Sequence, residues 1–142
     1  MANLAGIDAM TVPPDASTLL ELQSRKFQKE LSAGTVSLAL LAVLASAGEP
    51  MYGYQIAKRL EQVGEGVLSG KQSALYPVLR NLEGGGLLDS HVEPSVAGPP
   101  RRYYRITTVG REVLVEWTNA WRATRDSVDS VLQGDVTMSA AR

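Results

Sequence analysis

Apolar residues recur mainly at helical spacing along this chain, and the first two predicted helices differ in how much of their surface is apolar. Residues 17–31 carry a thin apolar stripe, and Thr18 with Glu21 forms a capping-box pattern at its start. Residues 35–47 are apolar on nearly all sides, which is typical of a helix at the centre of a core. The small residues at 32–34, which end in a glycine, predict a break or kink between the two helices.

A third helix is predicted in residues 51–64, MYGYQIAKRLEQVG. Its apolar residues recur at helical spacing and end at Gly64. This inward stripe consists of Ile56, Ala57, Leu60 and Val63.

A fourth helix is predicted in residues 69–86, SGKQSALYPVLRNLEGGG, where Ser69 and Gln72 repeat the capping-box pattern. Pro77 lacks a backbone donor, so we expect it in or near the first turn, where that loss costs least. The inward stripe consists of Leu75, Val78, Leu79 and Leu82. Most of the polar residues, and Tyr76 with them, are expected on the other side.

Alternating residues then predict a β-hairpin, with strands at 87–93 and 101–107 and a turn at 94–100. Side chains in a strand point alternately to its two faces. We therefore expect one face of the second strand to carry Tyr103 and Arg105, and the other to carry Arg102, Tyr104 and Ile106. One of the two tyrosines is expected to pack the hairpin onto the body and the other to lie near a ligand.

The last predicted helix begins at about residue 108, ends at about Leu132, and carries a heptad seam. A seam of this length exceeds what a small monomer needs, so it predicts a partner helix and a homodimer. The seam consists of Leu114, Trp117, Trp121, Thr124, Val128 and Val131.

Composition is that of a single globular domain of 142 residues, with 44% hydrophobic and 20% charged residues. There is no cysteine and one histidine, which excludes a disulfide framework and Cys-based zinc sites and argues against other metal sites. We expect no cofactor. The N-terminal residues lack the basic region of a secretory signal, and the apolar run at 36–47 is shorter than the roughly 20 residues that span a bilayer. These features predict a cytoplasmic protein that does not contact a membrane.

Charge and chemistry narrow the function. The formal net charge is -1, yet residues 71–105 hold five basic residues against three acidic ones, a local net charge of +2. A basic zone of this size is compatible with nucleic-acid binding and also with an ordinary solvated surface. The glycines at 84–86 follow a helix instead of opening one, so they form no phosphate cradle. Neither a P-loop nor a nucleophile elbow is present, so we predict that the chain is not an enzyme and has no catalytic residue.

The order helix, helix, helix, hairpin is that of a winged helix-turn-helix, so the predicted fold is mainly α with a small β-hairpin and a C-terminal dimerisation helix. In such folds the third helix enters the major groove of DNA, and the hairpin contacts the backbone or the minor groove. The candidate DNA-binding residues are Lys71, Gln72, Ser73, Tyr76, Arg80, Asn81, Arg101, Arg102 and Tyr103. An alternative is a winged-helix module for protein interaction or ligand sequestration that does not bind DNA specifically.

The chain resembles the PadR-type transcriptional regulators in three ordered motifs, which lie at 51–61 (MYGYQIAKRLE), 73–88 (SALYPVLRNLEGGGLL) and 98–114 (GPPRRYYRITTVGREVL). The resemblance covers roughly residues 29–132. It implies a homodimeric repressor that binds a pseudo-palindromic double-stranded operator.

A single C-terminal helix is similar to the short form of that family, which includes a lactococcal multidrug-resistance regulator. In that regulator a tryptophan on the last helix stacks on flat aromatic compounds at the dimer interface. Counted from Gly110, the corresponding residue is Trp121. A tryptophan pair on a heptad seam is more often plain interface core than a ligand site, although a flat ligand can lie between the same rings. The candidate residues for the effector site or the dimer interface are Trp117, Trp121, Leu114, Thr124 and Val128.

We therefore expect four regions: a flexible tail at 1–16, the winged helix-turn-helix with its extra N-terminal helix at 17–107, the dimerisation helix at 108–133, and a flexible tail at 134–142.

Overall fold

The computed structural model describes residues 15–64 and 72–141, with side chains as far as residue 134. The tail at 1–14, the capping residue Ser69 and the candidate contact Lys71 lie outside the described residues. In chain order the elements are α1 (Ala16–Ala47), β1 (Met51–Tyr52), α2 (Gly53–Val63), α3 (Gln72–Gly84), β2 (Leu88–Ser95), β3 (Gly98–Ile106) and α4 (Thr108–Ala141).

Helix α1 is continuous, so the predicted break at 32–34 is wrong. Glycine in a helix interior costs about 1 kcal/mol relative to alanine, which raises the free energy of the helix without interrupting its hydrogen bonds. The predicted capping box also differs from the structure: the backbone N–H of Thr18 donates to Oδ1 of Asp15 at 2.8 Å, so Asp15 caps the helix. This hydrogen bond lowers the pKa of the Asp15 carboxyl.

Two compact units divide the chain, residues 1–34 and residues 35–142. In the first unit the apolar residues of α1 are exposed: Leu19, Leu20, Leu22, Phe27 and Leu31. The second unit contains the core, which is built from Leu40, Leu41, Val43, Leu44, Ile56, Leu60, Leu75, Leu79, Leu82, Leu88, Tyr104 and Ile106.

Helix α1 is also long and apolar enough, by length and composition alone, to cross a membrane, with mean hydropathy 1.6 over its most apolar window. Its end nevertheless supplies Leu40, Leu41, Val43 and Leu44 to the core. Of the most apolar window, 22% is buried, and a single helix of this length and composition is weak evidence for a membrane span.

The sheet has three antiparallel strands in the order β1-β3-β2. Strand β1 corrects the prediction that Met51 and Tyr52 begin a helix. It is only two residues long, and it pairs Met51 with Tyr104 and Tyr52 with Tyr103. Two residues cannot establish a period of two, so the pattern alone could not reveal this strand.

The hairpin of β2 and β3, called the wing below, has a shorter turn than predicted. Its strands reach Ser95 and Gly98, which pair with each other, so the turn at 94–100 contracts to residues 96 and 97. Pro94 lies at the irregularity in pairing between Glu93 and Ser95, where a missing N–H is tolerated.

Pro77 is the sixth residue of the described α3 and lies inside the helix, not in its first turn. A proline there leaves the carbonyl of Ser73 without its usual helical donor. Both residues are exposed, so water can bind that carbonyl.

The start of α4 is fixed against the beginning of the wing. Thr107 Oγ1 donates to the carbonyl of Gly86 at 2.7 Å and accepts from the N–H of Gly110 at 2.9 Å, so it caps the helix. A Cβ at position 110 would meet the carbonyl of Leu87 and lie 2.7 Å from Cγ1 of Ile106. Only glycine allows this close approach, and α4 then extends to Ala141, beyond the predicted end at Leu132.

Candidate nucleic-acid interface

Tyr76 of α3 packs directly on the first residue of α2. A Cβ on Gly53 would lie 2.6 Å from the hydroxyl oxygen of Tyr76 and 2.8 Å from its Cε1, so the absence of a side chain creates the space for the ring. The YGY and LYP motifs are therefore two halves of one contact. Tyr76 is half-buried because of it, which corrects the expectation that it would lie on the outward face.

Gln72 begins the described part of α3 and is oriented by the same tyrosine. Its Nε2 donates to the hydroxyl of Tyr76 at 2.6 Å. Ser73, Arg80 and Asn81 are exposed on α3, as expected for its outward side. The helix thus presents its polar side chains on a surface held by Tyr76 and Gly53.

A groove of about 420 Å³ separates α3 from the wing, and we call it the α3–wing groove. It is lined by Tyr76, Arg80, Glu83, Arg102 and Tyr104. Two arginines from different elements therefore face the same space. This arrangement suits an anion that approaches from outside, such as a DNA phosphate.

The side chains of the wing alternate between two faces, as predicted. The inner face consists of Leu88, Ser90, Val92, Arg102, Tyr104 and Ile106, and the outer face of Asp89, His91, Glu93, Arg101, Tyr103 and Arg105. Tyr104 is 2% exposed and packs the wing onto the body. Burial raises the pKa of its hydroxyl, and the Glu83 carboxylate acts in the same direction.

A hydrogen-bonded chain on the inner face links the wing to α3. Nη1 of Arg102 donates to Oγ of Ser90 at 2.9 Å, and Oγ of Ser90 donates to Oε2 of Glu83 at 2.6 Å. Neither Ser90 nor Glu83 is among the residues predicted from the sequence to contact DNA. The register was the available signal, because Ser90 lies opposite Tyr104 and therefore shares a face with Arg102.

Side chains of the outer face bind mainly to one another and to β1. The guanidinium carbon of Arg101 lies 4.4 Å from the centroid of the Tyr52 ring, a cation–π distance. The Tyr103 ring contacts Tyr52 edge-on at 5.4 Å and stacks on His91 at 5.7 Å.

The strand alternation places the two predicted DNA-contacting arginines, Arg101 and Arg102, on opposite faces of the wing. Both nevertheless line a second groove of about 430 Å³, which also includes Gln72 and Tyr76 of α3.

Arg105, at the base of the outer face, is paired with a carboxylate. Its Nη2 and Nε donate to the two carboxylate oxygens of Asp89 at 2.9 and 3.2 Å. The Arg105 hydrogen bond lowers the pKa of the Asp89 carboxyl, and the same pair raises the pKa of Arg105.

The predicted seam of α4 divides into two parts. Leu114 and Trp117 are half-buried against the core. Trp121 is 37% exposed and Val128 is 50% exposed, and Thr124 between them is exposed as well. The outer part of the seam is thus an apolar surface without a cover among the described residues.

Three core helices followed by a hairpin that shares a groove with the last of them define a winged-helix protein. The chain matches the transcriptional regulator PadR-like family over residues 40–116, more than half its length, and it belongs to that family. It is therefore a transcriptional regulator. Members of the family are DNA-binding transcription factors and not enzymes.

Solved structures of family members are similar over most of this chain. A PadR-family transcriptional regulator from Eggerthella lenta is 34% identical, with a TM-score of 0.67 over 82% of this chain and 97% of the other. A PadR-like regulator from Bacillus cereus is 27% identical, with a TM-score of 0.60 over 73% and 97%. An uncharacterized protein from Lysinibacillus sphaericus is 28% identical over 83 residues, which are 58% of this chain and 76% of the relative.

Proposed function

We propose that this regulator binds a pseudo-palindromic operator as a homodimer, with α3 in the major groove and the inner face of the wing against the backbone. The convergence of Arg80 and Arg102 in the α3–wing groove is the observation that carries this proposal. The polar side chains of Gln72, Ser73 and Asn81 suit hydrogen bonding to phosphates or base edges. The protein would act as a repressor in the cytoplasm, where its operator lies.

The homodimer rests on the outer part of the α4 seam. Exposed apolar side chains at helical spacing suit a second copy of the same helix. The surface includes Trp121, Val128, Val131 and Leu132. In the dimer the two α3 helices would reach successive major grooves, about one helical turn of DNA apart.

A flat aromatic effector would bind beside Trp121, the more exposed of the two tryptophans. Trp117 packs on the core and would form the inner wall of such a site. Binding between subunits would change the spacing of the two α3 helices and so shift the protein between states of different DNA affinity.

DNA binding is tested by fluorescence anisotropy with the duplex upstream of the regulator's own gene. We expect salt-sensitive binding that survives competitor DNA, and roughly tenfold weaker binding by Arg80→Ala at about 0.1 M salt, because one phosphate contact is lost. Arg125→Ala is the matched control, since Arg125 lies on α4 and is bound to Asp126 at 2.9 Å. Absence of competitor-resistant binding would favour a protein-interaction or ligand-sequestering module.

The effector site is tested with two single-tryptophan variants, Trp117→Phe and Trp121→Phe. Planar aromatic cations and nucleotide-like compounds should quench the remaining Trp121 in the first variant more strongly than the remaining Trp117 in the second. No quenching of either residue by such a panel would rule out the aromatic effector and leave an effector-independent regulator.

A further inference from the structure

We propose that Ser90 and Glu83 are positioning residues that aim Arg102 at a single backbone phosphate of the operator. This inference rests on the proposed DNA-binding function. It identifies a specific phosphate-binding group and the residues that hold it in place.

Ser90 lies between an acidic and a basic side chain, and its two hydrogen bonds fix the orientation of its hydroxyl. A serine hydroxyl has one proton to donate and two lone pairs that accept. Its proton goes to Oε2 of Glu83 at 2.6 Å, and a lone pair accepts from Nη1 of Arg102 at 2.9 Å. Because the only hydroxyl hydrogen is donated to Glu83, the oxygen must present a lone pair to Arg102.

Arg102 keeps its capacity for an anion in this arrangement. An arginine carries five N–H donors, and the bond to Ser90 uses one of them. Among the described residues its direct partner is a neutral hydroxyl and not a carboxylate, whereas Arg105 is paired directly with Asp89. The remaining donors match the oxygens of a phosphate in a two-point contact.

Holding the arginine before DNA arrives strengthens binding. A free arginine side chain loses rotamer freedom when it is fixed, and this cost is comparable with the roughly tenfold gain in affinity from one phosphate contact. Without the hold of Ser90 and Glu83 this cost offsets the gain, so Arg102 no longer stays on the phosphate, and the affinity and the salt slope fall together. Because Glu83 belongs to α3 and Arg102 to β3, the chain of bonds also sets the spacing between the helix and the wing.

The experiment measures the dissociation constant of one operator duplex over a series of salt concentrations. Arg102→Ala should weaken binding roughly tenfold at about 0.1 M salt and lower the salt slope by about one, the value for one phosphate contact. Ser90→Ala should reproduce most of both changes, and adding it to Arg102→Ala should have little further effect. Ser90→Thr keeps the hydroxyl and should retain the wild-type slope.

Glu83 variants distinguish two explanations, because charge alone and the positioning role predict opposite changes in DNA affinity. Removing a carboxylate near DNA would by charge alone tighten binding, whereas the proposal expects Glu83→Ala to weaken binding and to lower the slope. Glu83→Gln keeps an acceptor for Ser90 and should retain the slope. If Ser90→Ala does not fold, as judged by its thermal unfolding, these two variants decide the matter.

The outcomes separate this inference from the proposed function. If the wild-type protein does not bind DNA, both fail. If it binds and Arg102→Ala leaves the slope unchanged, Arg102 does not contact a phosphate, so this inference and the proposed wing contact fail while operator binding through α3 stands. If Arg102→Ala lowers the slope but Ser90→Ala and Glu83→Ala do not, the positioning role is wrong and the proposed function stands. A Ser90→Ala variant that loses affinity at unchanged slope would also overturn it, because that is a purely structural effect.

Discussion

The two faces of the wing carry similar residue types and use them differently. The inner face buries Tyr104 and connects Arg102 through Ser90 to α3. The outer face leaves Tyr103 half-exposed between His91 and Tyr52. Arginine and tyrosine occur on both faces, so residue type does not assign a role in this hairpin. The neighbouring element decides: α3 and the core lie against the inner face, whereas Tyr52 of β1 contacts Arg101 and Tyr103 of the outer face.

The largest expected difference between the faces is in stability. Tyr104→Ala removes a buried ring and should lower the free energy of unfolding by about 3–5 kcal/mol. Tyr103→Ala removes a partly exposed ring with two aromatic neighbours and should cost about 1 kcal/mol. Urea denaturation of the two variants measures both values, and equal losses would show that the faces are energetically alike.

The glycine that fixes α4 beside the inner face should give the next largest effect. Gly110→Ala places a Cβ against Ile106 and the Leu87 carbonyl, and overpacking of this kind costs about 1–3 kcal/mol, or more where the contact is with backbone. Gly134→Ala is the control on the same helix, because a Cβ there meets nothing within 4 Å. It should raise stability by about 0.5–1 kcal/mol. The melting temperatures of the two variants should therefore move in opposite directions.

DNA affinity should distinguish the two arginines at the far end of the wing. Arg102→Ala should weaken operator binding roughly tenfold at about 0.1 M salt. Arg101→Ala should weaken it by less than about twofold, since Arg101 is stacked on Tyr52 and does not line the α3–wing groove. Anisotropy titrations of both variants at one salt concentration test this, and a larger loss for Arg101→Ala would reverse the assignment of the DNA-facing side.

The smallest expected effect is the pH dependence of the outer ion pair. The folded-state pKa of Asp89 lies below its ordinary value of 3.8, so the pair stabilises the fold above that pH. The stabilisation is lost as pH falls from 3.8 through the lower folded value. The stability difference between wild type and Asp89→Asn should therefore shrink in acid. Arg105→Gln should remove the same pH dependence, and a difference that grows in acid would contradict this account.

Hydrophobic periodicity and sequence motifs predicted the helices and strands of residues 35–142 well, because each buried stripe is long enough to define its spacing. Helices α2 and α3, the two wing strands and the separation of Arg102 from Arg105 all followed from spacing alone. The tertiary contacts did not follow from the spacing of residues. Nothing local indicates that Gly53 accommodates Tyr76 or that Ser90 joins Arg102 to Glu83, because these partners come together only through the pairing of strands and the packing of helices.

Errors at element ends have a common physical origin. Glycine and proline alter local free energy by amounts that neighbouring structure can offset, as Gly34 within α1 and Pro77 within α3 show. Strand β1 exists because β3 provides an edge for it. A sequence pattern records local preference, and these positions are decided by partners that are distant in the chain.

The contact between Gly53 and Tyr76 bears on how new specificities can be engineered into this scaffold. A chimera in which α3 is replaced by the corresponding helix of another regulator would carry a new residue at position 76. The residue at position 53, which accommodates it, would remain that of the original protein. A smaller incoming side chain would leave a void above the glycine, and the glutamine amide would lose its acceptor. Positions 53 and 76 must therefore be replaced together if the new helix is to pack correctly.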